Sequence, residues 1–358
     1  MKKKLTFLGI ETSCDETAAS VVQENEDGTA KVLSNVVSSQ IKEHEKFGGV
    51  VPEIAARAHV ENIDFIIQQA LDKSKKKIED IDGIAATAGP GLIVCLNVGH
   101  NIGKSLAAFS EKLFLSINHL EGHALSPGIE NKIHFPYLLL LVSGGHSQYL
   151  IVKDVNNYKQ IGTTIDDAVG EAFDKTAKIL GLGYPGGPQI EKFAKLGNKN
   201  SYNLPEPIIN RAGCNLSLAG LKTAVLRKSK ELSSDKEKYN LAASFQETIN
   251  KILTKKTKVA MEKFREEISG NSLRPFVVAG GVAANETIRK SLKELSKKMD
   301  FDPIFPSKEF CGDNAAMIAW AGIQRYNKKL FNIKNNNVRS RWPLDDNAPF
   351  LKGPGLKL

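Results

Sequence analysis

The sequence of 358 residues lacks a long apolar segment and lacks any closely spaced pair of cysteines. Its longest uncharged apolar run, Phe135–Val142, is far shorter than the roughly 20 residues needed to cross a bilayer. The apolar stretch near the N-terminus is interrupted by Glu11 and Asp15, so it predicts a first strand and not a secretory signal. The four cysteines lack CxxC spacing, which argues against a disulfide framework and a structural zinc site. We therefore expect a protein of the reducing cytoplasm that does not enter a membrane.

Two common nucleotide-binding signatures are also missing. No GxGxxG segment lies between a predicted strand and a predicted helix, so a dinucleotide-binding fold is not expected. Gly99–Ser105 resembles a P-loop, but three residues separate its glycines, one fewer than the motif requires. The segment also falls inside a predicted helix instead of following a strand. A P-loop is therefore excluded.

The positive charge of the chain permits an anionic partner without requiring one. The formal net charge is +9 and the isoelectric point is near 9.1. Such an excess favours partners such as nucleic acid. It is also typical of solvated, lysine-rich helix surfaces, and the segments Lys73–Lys77 and Lys255–Lys258 fit that second interpretation. Charge alone leaves both interpretations open.

Two segments share one plan of strand, short polar loop and strand. Leu5–Val22 contains two apolar strands around the polar turn Glu11–Glu16, and Tyr137–Val152 contains two around the turn Ser143–His146. Helices and strands alternate elsewhere in the chain, which predicts an α/β fold. The repetition predicts a duplicated α/β unit with the active cleft between the copies.

Helical periodicity and β-branched runs place the remaining elements. Pro52 suits the first position of a helix, and Gly83–Ala88 reads as a strand. The other predicted helices are Leu92–Phe109, Ala168–Leu180, Tyr239–Glu266, Ala284–Lys297 and Asn314–Tyr326, and the other predicted strands are Leu113–Ile117 and Phe276–Ala279.

The segment Asn118–His123 places two imidazoles four residues apart. In a helix His119 and His123 lie on the same face, so both rings can reach one metal ion. A zincin peptidase has its catalytic Glu directly after the first His, whereas this chain has Leu120 there. The spacing favours a metal but not peptidase chemistry, and two polar helix residues without a metal remain an alternative.

Asp313 precedes the last predicted helix and has two possible roles. We expect it to cap that helix, as aspartate commonly does. It is also a candidate third ligand, which with His119 and His123 makes a two-His, one-carboxylate site with open positions.

Three glycine-rich loops point to a nucleotide site. They are Ser143–His146, Tyr184–Pro188 and Gly280–Gly281, and the first and third follow buried strands. Glycine allows a positive φ and lets backbone N–H groups approach a phosphate, and a helix N-terminus favours an anion. Three such loops in one chain predict a nucleotide cleft.

Two groups of carboxylates are further candidates. The turn Glu11–Thr17 combines hydroxyl groups with three carboxylates, which suits phosphate or metal binding, while Cys14 lacks a basic neighbour and is expected to be a packed thiol. In the second half Asp166 and Asp167 precede Glu171 and Asp174, whose i, i+3 spacing puts them on one helical face.

Taken together, these motifs resemble one family, the bacterial tRNA N6-adenosine threonylcarbamoyltransferases, whose members were once labelled glycoproteases. The resemblance spans nearly the whole chain in colinear order. The matching stretches are Leu8–Thr17, Gly48–Arg57, Gly89–Leu92, Asn118–His123, Leu141–His146, Ile165–Gly187, Ser217–Thr223, Ala279–Asn285 and Gly312–Ala319. Small departures are Ala219 in place of the Ser of many relatives and Gly103-Lys104 in place of Ala-Lys.

The resemblance implies an actin/Hsp70/sugar-kinase fold of two ribonuclease-H-like lobes with a nucleotide cleft between them. Lobe I is expected over residues 1–130, completed by a C-terminal helix at about 312–335, and lobe II over residues 131–311. Residues 336–358 are expected to form an irregular tail, to which we assign no role beyond surface or RNA contact.

The resemblance also implies the reaction and its residues. A threonylcarbamoyl group moves from threonylcarbamoyl-AMP to the exocyclic N6 amine of the adenosine 3′ to the anticodon, in tRNAs that read codons beginning with A. His119, His123 and Asp313 would bind one divalent metal, usually iron or zinc, and Asp15 would orient the acceptor or the reactive carbonyl. The substrate site, which ATP or ADP can also occupy, would comprise Leu141, Val142, Ser143, Gly144, Gly145, Asp174, Gly187, Glu191 and Asn285.

The family further implies partners besides tRNA: a paralogous scaffold subunit, a small P-loop ATPase, and the synthase that supplies threonylcarbamoyl-AMP. Three other functions remain to be compared with the transferase. They are a metal-dependent peptidase, a non-catalytic scaffold of the same fold, and a sugar or acid kinase of the same superfold.

Overall fold

A computed structural model of the chain describes residues 3–269, 274–331 and 337–348. Within these residues the chain forms ten strands and ten helices, together with short 3-10 turns. The strands are β1 (Thr6–Glu11), β2 (Glu16–Glu24), β3 (Ala30–Ser39), β4 (Gly83–Gly89), β5 (Leu113–Asn118), β6 (Tyr137–Val142), β7 (Ser147–Asp154), β8 (Asn157–Thr163), β9 (Pro275–Ala279) and β10 (Asp302–Ile304). The helices are α1 (Ile41–Glu45), α2 (Pro52–Ser74), α3 (Ile93–Phe109), α4 (His119–Leu125), α5 (Val169–Leu180), α6 (Gly186–Ala194), α7 (Ala219–Ser229), α8 (Asp235–Glu267), α9 (Glu286–Lys298) and α10 (Ala315–Asn327).

The chain divides into two compact units, each with its own five-stranded sheet. Unit 1 comprises Met1–Ile133, Asp154–Asn157 and Pro306–Asp346, and unit 2 comprises His134–Lys153, Tyr158–Phe305 and Asn347–Leu358. Among the described residues, no helix combines the length and apolar character that a membrane span needs.

The two sheets have the same topology. In unit 1 the strand order is β3-β2-β1-β4-β5, and in unit 2 it is β8-β7-β6-β9-β10. In each unit the first strand pairs antiparallel with the second and parallel with the fourth. The duplicated α/β unit predicted from the repeated strand, loop and strand plan is confirmed.

Burial explains why the central strands form where they do. Every residue of β1, β4, β6 and β9 is buried, as expected for strands covered on both faces. In unit 1 an aliphatic cluster that includes Leu8, Ile63 and Ile84 joins the sheet to α2. Pro52 is the first residue of α2 as predicted, and the P-loop-like segment Gly99–Ser105 lies inside α3.

The described part of the C-terminal tail is irregular and lies along unit 1. Arg339 donates its backbone N–H to the carbonyl of Ala88, at 2.7 Å, and Gly91 donates to the carbonyl of Ser340, at 3.3 Å. The side-chain amide of Asn118 donates to the carbonyl of Trp342, at 3.0 Å. These bonds tie the tail to the carboxyl ends of β4 and β5. The remaining tail residues, 349–358, lie outside the described part.

The packing of α10 on β1 predicts an intolerance at Gly9. A Cβ added there would lie 2.1 Å from the carbonyl oxygen of Ala315 and 2.7 Å from the backbone nitrogen of Ala319. We expect Gly9→Ala to lower the free energy of unfolding by about 1–3 kcal/mol, because backbone must shift to admit the methyl group. Denaturant unfolding would measure the change. Gly49→Ala, where an added Cβ meets nothing within 4 Å, is the control, and equal effects of the two substitutions would contradict the close approach.

Candidate metal centre and substrate loops

The histidine pair lies on α4, which starts directly at the end of β5. Asn118 caps this helix, since its side-chain oxygen accepts from the backbone N–H of Leu120 at 2.9 Å and of Glu121 at 3.4 Å. His119 and His123 are both buried, and their ring centroids are 4.7 Å apart. The two imidazoles therefore lie on one face of the same helix, as predicted.

Asp313 lies beside both imidazoles. Its Oδ1 is 3.0 Å from Nε2 of His123 and 3.5 Å from Nε2 of His119. Potential ligand atoms of the three residues all lie within 4.8 Å of one another, so they form a possible metal site. In addition, Nδ1 of His123 is buried and has no hydrogen-bond partner within the described part of the chain.

The expectation that Asp313 caps the last helix is wrong. The residue that caps α10 is Asn314, whose side-chain oxygen accepts from the backbone N–H of Met317 at 3.0 Å. Because Asn314 performs the capping, the carboxylate of Asp313 is available to the imidazoles. Burial by itself raises the pKa of Asp313, but His119 and His123 hold that pKa well below its ordinary value.

Glu11, at the end of β1, fixes the ring of His119 from the other side. Its Oε2 is 3.0 Å from Nδ1 of His119, and its carboxylate also accepts from the hydroxyl of Thr87 and the backbone N–H of Ser13. Burial opposes ionisation of Glu11, but His119 lowers the pKa of Glu11. Burial also lowers the pKa of His119, yet Asp313 and Glu11 together raise it well above its ordinary value. With Nδ1 held by Glu11, Nε2 of His119 faces Asp313.

The remaining carboxylate of α4, Glu121, is fully buried and engaged elsewhere. One oxygen forms a short ion pair with Arg325 of α10, and the other accepts from the backbone N–H of Asn156 at 3.1 Å. A peptidase general base must face the metal-bound water, whereas this carboxylate neutralises a cation. The pairing of Glu121 thus agrees with the sequence argument against a zincin peptidase.

The acidic turn between β1 and β2 lies near the carboxylate of Asp313. Burial, followed by Asp15 and Asp313, raises the pKa of the Cys14 thiol far above its ordinary value, which disfavours the thiolate that a nucleophile needs and agrees with the expected packed thiol. Burial, Asp313 and Asp15 likewise raise the pKa of Glu16. Asp15 is itself buried, and its backbone carbonyl accepts from the backbone N–H of Gln40 at 3.0 Å.

A chain of buried polar groups supports this turn, and it was missed from the sequence. His59 approaches the carbonyl of Cys14 through Nε2 at 3.0 Å and the hydroxyl of Thr17 through Nδ1 at 2.7 Å. Gln40 donates to the same Nδ1 at 3.2 Å and accepts from Nε2 of His44 at 3.2 Å. Burial lowers the pKa of His59, which favours the neutral ring. The isolated histidines gave no pattern from which these pairings could be predicted.

In unit 2 the loop that follows β6 has an accessible backbone. An added Cβ at Gly144 or Gly145 would meet nothing within 4 Å. Neither glycine has a positive φ, so that part of the sequence argument is wrong. The loop is instead closed by Ser143, which donates its backbone N–H to the carbonyl of His146 at 2.8 Å and accepts at its carbonyl from Gly170 at 3.1 Å.

The second strand-following loop does require glycine. Gly280 has a φ of +96°, and a Cβ there would lie 2.4 Å from the carbonyl oxygen of Val142. After a 3-10 turn over Gly281–Ala284, Asn285 caps α9 by accepting from the backbone N–H of Ile288 at 3.1 Å. The close approach brings two of the glycine-rich segments together at the ends of neighbouring strands.

The other predicted substrate residues belong to the same cluster in unit 2. Asp174 of α5 accepts from the backbone N–H of Gly186 at 2.7 Å, which places Gly187 at the start of α6 with open space around it. Glu191, one turn later, accepts from the backbone N–H of Glu286 at 2.8 Å. Hydrogen bonds therefore link the β6 loop to α5, α5 to α6, and α6 to the start of α9.

Asp166 and Asp167, whose roles the sequence left open, anchor α7. Asp166 accepts from the backbone N–H of Leu218 at 2.6 Å and from the hydroxyl of Ser217. Asp167 is 2% exposed and pairs with Lys222 at 2.6 Å and with Lys175 at 3.0 Å. These carboxylates have structural partners within unit 2.

Two solved structures with the same fold are distant from this chain in sequence. HypF from T. kodakarensis is 15% identical with a TM-score of 0.61, and the match covers 93% of this chain and 49% of that chain. Component A of (R)-2-hydroxyglutaryl-CoA dehydratase from Acidaminococcus fermentans is 15% identical with a TM-score of 0.50, covering 88% of this chain and 96% of that chain. The protein is thus a two-unit α/β protein that shares its fold with these structures, in agreement with the expected actin/Hsp70/sugar-kinase fold, and it has a candidate His-His-Asp metal centre in unit 1.

Sequence relatives are much closer. The model of the family TsaD, tRNA N6-adenosine threonylcarbamoyltransferase, matches residues 31–320. Proteins of that name are similar to this chain in Pelagibacter ubique (58% identical over 358 residues, 100% of both chains) and in Brucella anthropi (49% identical over 355 residues, 99% of both chains). The chain belongs to the tRNA N6-adenosine threonylcarbamoyltransferase family, and it is an enzyme of tRNA modification.

The Asp167 contacts predict a pH-dependent contribution to stability. Burial opposes ionisation of Asp167, but Lys222 and Lys175 lower its pKa. A lowered folded-state pKa contributes stability above about pH 4 that is lost as the pH falls through that lowered pKa. We expect Asp167→Asn to cost about 1–3 kcal/mol at neutral pH, with the difference from wild type shrinking below about pH 4.

Denaturant unfolding from pH 3 to pH 8 would measure this effect. Asp235→Asn is the matched control, since Asp235 is 73% exposed and pairs with Lys238 on the surface of α8. A difference between Asp167→Asn and wild type that does not change with pH would contradict the ionic role of Asp167.

Proposed function

We propose that the chain transfers a threonylcarbamoyl group from threonylcarbamoyl-AMP to the N6 amine of the adenosine 3′ to the anticodon, in tRNAs that read codons beginning with A. The family membership supports the transfer to tRNA, and the loop cluster of unit 2 supports an adenylate donor. In this reaction N6 attacks the carbamoyl carbon, the bond from that carbon to the phosphate oxygen breaks, AMP leaves, and N6 loses a proton. An acyl-adenylate is already activated, so the protein mainly has to position the reactants and stabilise charge.

His119, His123 and Asp313 are proposed to hold one divalent metal ion, iron or zinc. The donor set fits, because two imidazoles and a carboxylate suit first-row metals and leave coordination positions open. The geometry also supports the fit, because Nε2 of His119 and Nε2 of His123 both face the same oxygen of Asp313. When bound, such an ion supplies Lewis-acid stabilisation of negative charge on carbonyl or phosphate oxygens.

The role proposed for Glu11 is to fix the ring of His119. By accepting a hydrogen bond from Nδ1–H it keeps that nitrogen protonated and the ring turned so that Nε2, once it gives up its proton to bind a metal, would face the position beside Asp313. The hydroxyl of Ser13 lies 3.2 Å from the same Nδ1 and reinforces this orientation. The hydrogen bonds from Thr87 and Ser13 to Glu11 in turn hold the carboxylate in place.

In unit 2 the proposed adenylate site is the cluster of linked loops. The segment Leu141–Gly145 offers backbone at the end of β6, with no side chain at two positions to obstruct a phosphate. Asn285 lies at the N-terminus of α9, where an anion is favoured. Asp174 and Glu191 complete the cluster by holding the starts of α6 and α9.

Asp15 is proposed to orient the acceptor amine or the reactive carbonyl. The observation that supports this role is its place in the turn that also carries Ser13, which contacts His119. Gln40 and His59 hold the turn in place through contacts with the backbone carbonyls of Asp15 and Cys14.

The three competing functions find less support. A peptidase would need a carboxylate free to act as a base, and Glu121 is paired with Arg325. A scaffold that had lost the metal would have no reason to bring His119, His123 and Asp313 together. A small-molecule kinase does not account for the family to which the chain belongs.

We further propose that the enzyme works in the cytoplasm, where its tRNA substrate is made, with three protein partners. These are a paralogous scaffold subunit, a small P-loop ATPase, and a synthase that supplies threonylcarbamoyl-AMP. The proposal of these three partners rests on family membership and not on any surface of the chain.

Removal of a proposed ligand should abolish both metal binding and transfer. We expect His119→Ala to lose the metal and to form no threonylcarbamoyladenosine, because only two donors remain. Metal content by mass spectrometry and nucleoside analysis of the treated tRNA measure the two effects. His119→Asn keeps an N–H for Glu11, and it should behave in the same way while preserving the fold. Full transfer by either variant would remove the metal from the mechanism.

The carboxylate that orients His119 should tune metal affinity without being a ligand. We expect Glu11→Gln to weaken metal binding about 10- to 100-fold, because an amide is a poorer acceptor for Nδ1–H. Titration of the metal-free protein with zinc would measure the affinity, with the exposed Glu61→Gln as the control. An affinity equal to wild type would show that Glu11 does not act through His119.

Asn285 offers a test of the adenylate site. We expect Asn285→Ala to weaken binding of a non-hydrolysable adenylate, but it also removes the cap of α9, which typically costs about 1 kcal/mol. Asn285→Ser keeps a capping oxygen but loses the amide, which donates to Gln246 at 2.9 Å, so it separates loss of the cap from loss of the amide and its contacts. Calorimetric titration would measure affinity, and two variants that bind as wild type does would place the adenosine elsewhere.

A further inference from the structure

The net positive charge of the chain comes from unit 2. Unit 2 contains 28 Lys and Arg against 17 Asp and Glu, a net charge of +11, and unit 1 contains 21 against 23, a net charge of −2. Counterions and nucleic acid backbones respond to such a concentrated field more strongly than to dispersed charge. A surface with a net excess of basic side chains is therefore expected on unit 2.

A groove between α8 and α9 is lined by four of these lysines. It encloses about 490 Å³. Lys251, Lys255 and Lys258 line it from α8, at i, i+4 and i+7, so they follow one face of the helix. Lys298 lines it from α9, and Glu206 and Glu294 are the acidic groups that face the same space.

The lysine surface continues over α9. A shallower depression of about 280 Å³ is lined by Lys290, Lys293 and Lys297 together with Glu286, and it shares Glu294 with the groove. Lys293 and Arg289 lie over the ring of Phe305, at 5.4 Å and 5.0 Å from its centroid. Basic side chains with an aromatic ring among them are typical of nucleic acid surfaces.

The groove is formed by fixed elements and not by side chains alone. Asn250 of α8 donates to the hydroxyl of Ser291 of α9 at 2.9 Å, which sets the separation of the two helices. The facing wall is the segment before α7, which includes Ile209. Lys256 is 1% exposed and holds that segment by donating to the carbonyls of Arg211, at 2.9 Å, and Gly213, at 3.1 Å.

From this arrangement we infer that the α8–α9 groove of unit 2 binds the phosphate backbone of the tRNA substrate. The inference rests on the proposed function, since it takes the tRNA as the ligand. A tRNA is far larger than its target nucleoside, and phosphate contacts position a nucleic acid without reading its sequence. A row of exposed lysines in a preformed groove suits that role, and an acidic protein is the competing occupant.

The test compares two triple variants of the full chain. Lys251→Gln, Lys255→Gln and Lys298→Gln together remove three charges from the groove. Lys73→Gln, Lys76→Gln and Lys77→Gln together remove three charges from the lysine-rich end of α2 and the turn after it in unit 1. Binding of an unmodified tRNA transcript is measured by filter binding over a range of salt concentrations, and KM for tRNA and kcat are measured in the transfer reaction.

We expect the groove variant to bind tRNA more weakly, with the slope of log Kd against log salt reduced by about 2–3, because each lost phosphate contact removes close to one unit. Its KM for tRNA should rise while kcat is unchanged, and the unit 1 variant should match wild type in both. If the groove variant binds tRNA as wild type does, or if both variants lose affinity equally, the groove assignment is overturned. If wild type forms no threonylcarbamoyladenosine, the proposed function itself fails, which is a separate outcome.

Discussion

The carboxylate of Glu11 is the contact on which the candidate metal centre depends. It is buried at the end of β1, it accepts from Thr87 of β4 and from Ser13, and it holds Nδ1 of His119 on α4. One side chain thereby connects the central strands of the sheet to the helix that carries both imidazoles. A buried charge is stable only with such partners, so the orientation of the His119 ring, a candidate metal ligand, is coupled to the carboxyl ends of β1 and β4.

The two units share a topology, but their corresponding loops carry different functional groups. In unit 1 the loop after the first strand and the helix after the fifth strand supply imidazoles and carboxylates. In unit 2 the loop after the corresponding first strand supplies open glycine backbone, and the positive charge lies on its helices. The repeated frame of antiparallel hairpin and parallel strands thus presents loops at equivalent strand ends, and the residues of those loops decide the ligand.

Several residues singled out from the sequence turn out to have structural duties as well. Asn285 caps α9, Asp174 holds the start of α6, and Glu191 contacts the start of α9. Asp313 shows the reverse, because its expected capping role belongs to Asn314. Local signals identify helix ends within a residue or two, and the choice between adjacent polar residues depends on which of them faces a partner that is distant in sequence.

The sequence by itself determined the duplicated α/β plan, most of the strands and helices, and the His119–His123 spacing, because these depend on periodicity and on neighbours within a few residues. The resemblance of its motifs to one family by itself indicates the transferase. Only the tertiary structure decided that Glu121 pairs with Arg325, that Glu11 holds His119, and that Lys256 supports a groove of exposed lysines. These pairings join residues 45 to 204 positions apart, and local sequence patterns carry no information about contacts at that range.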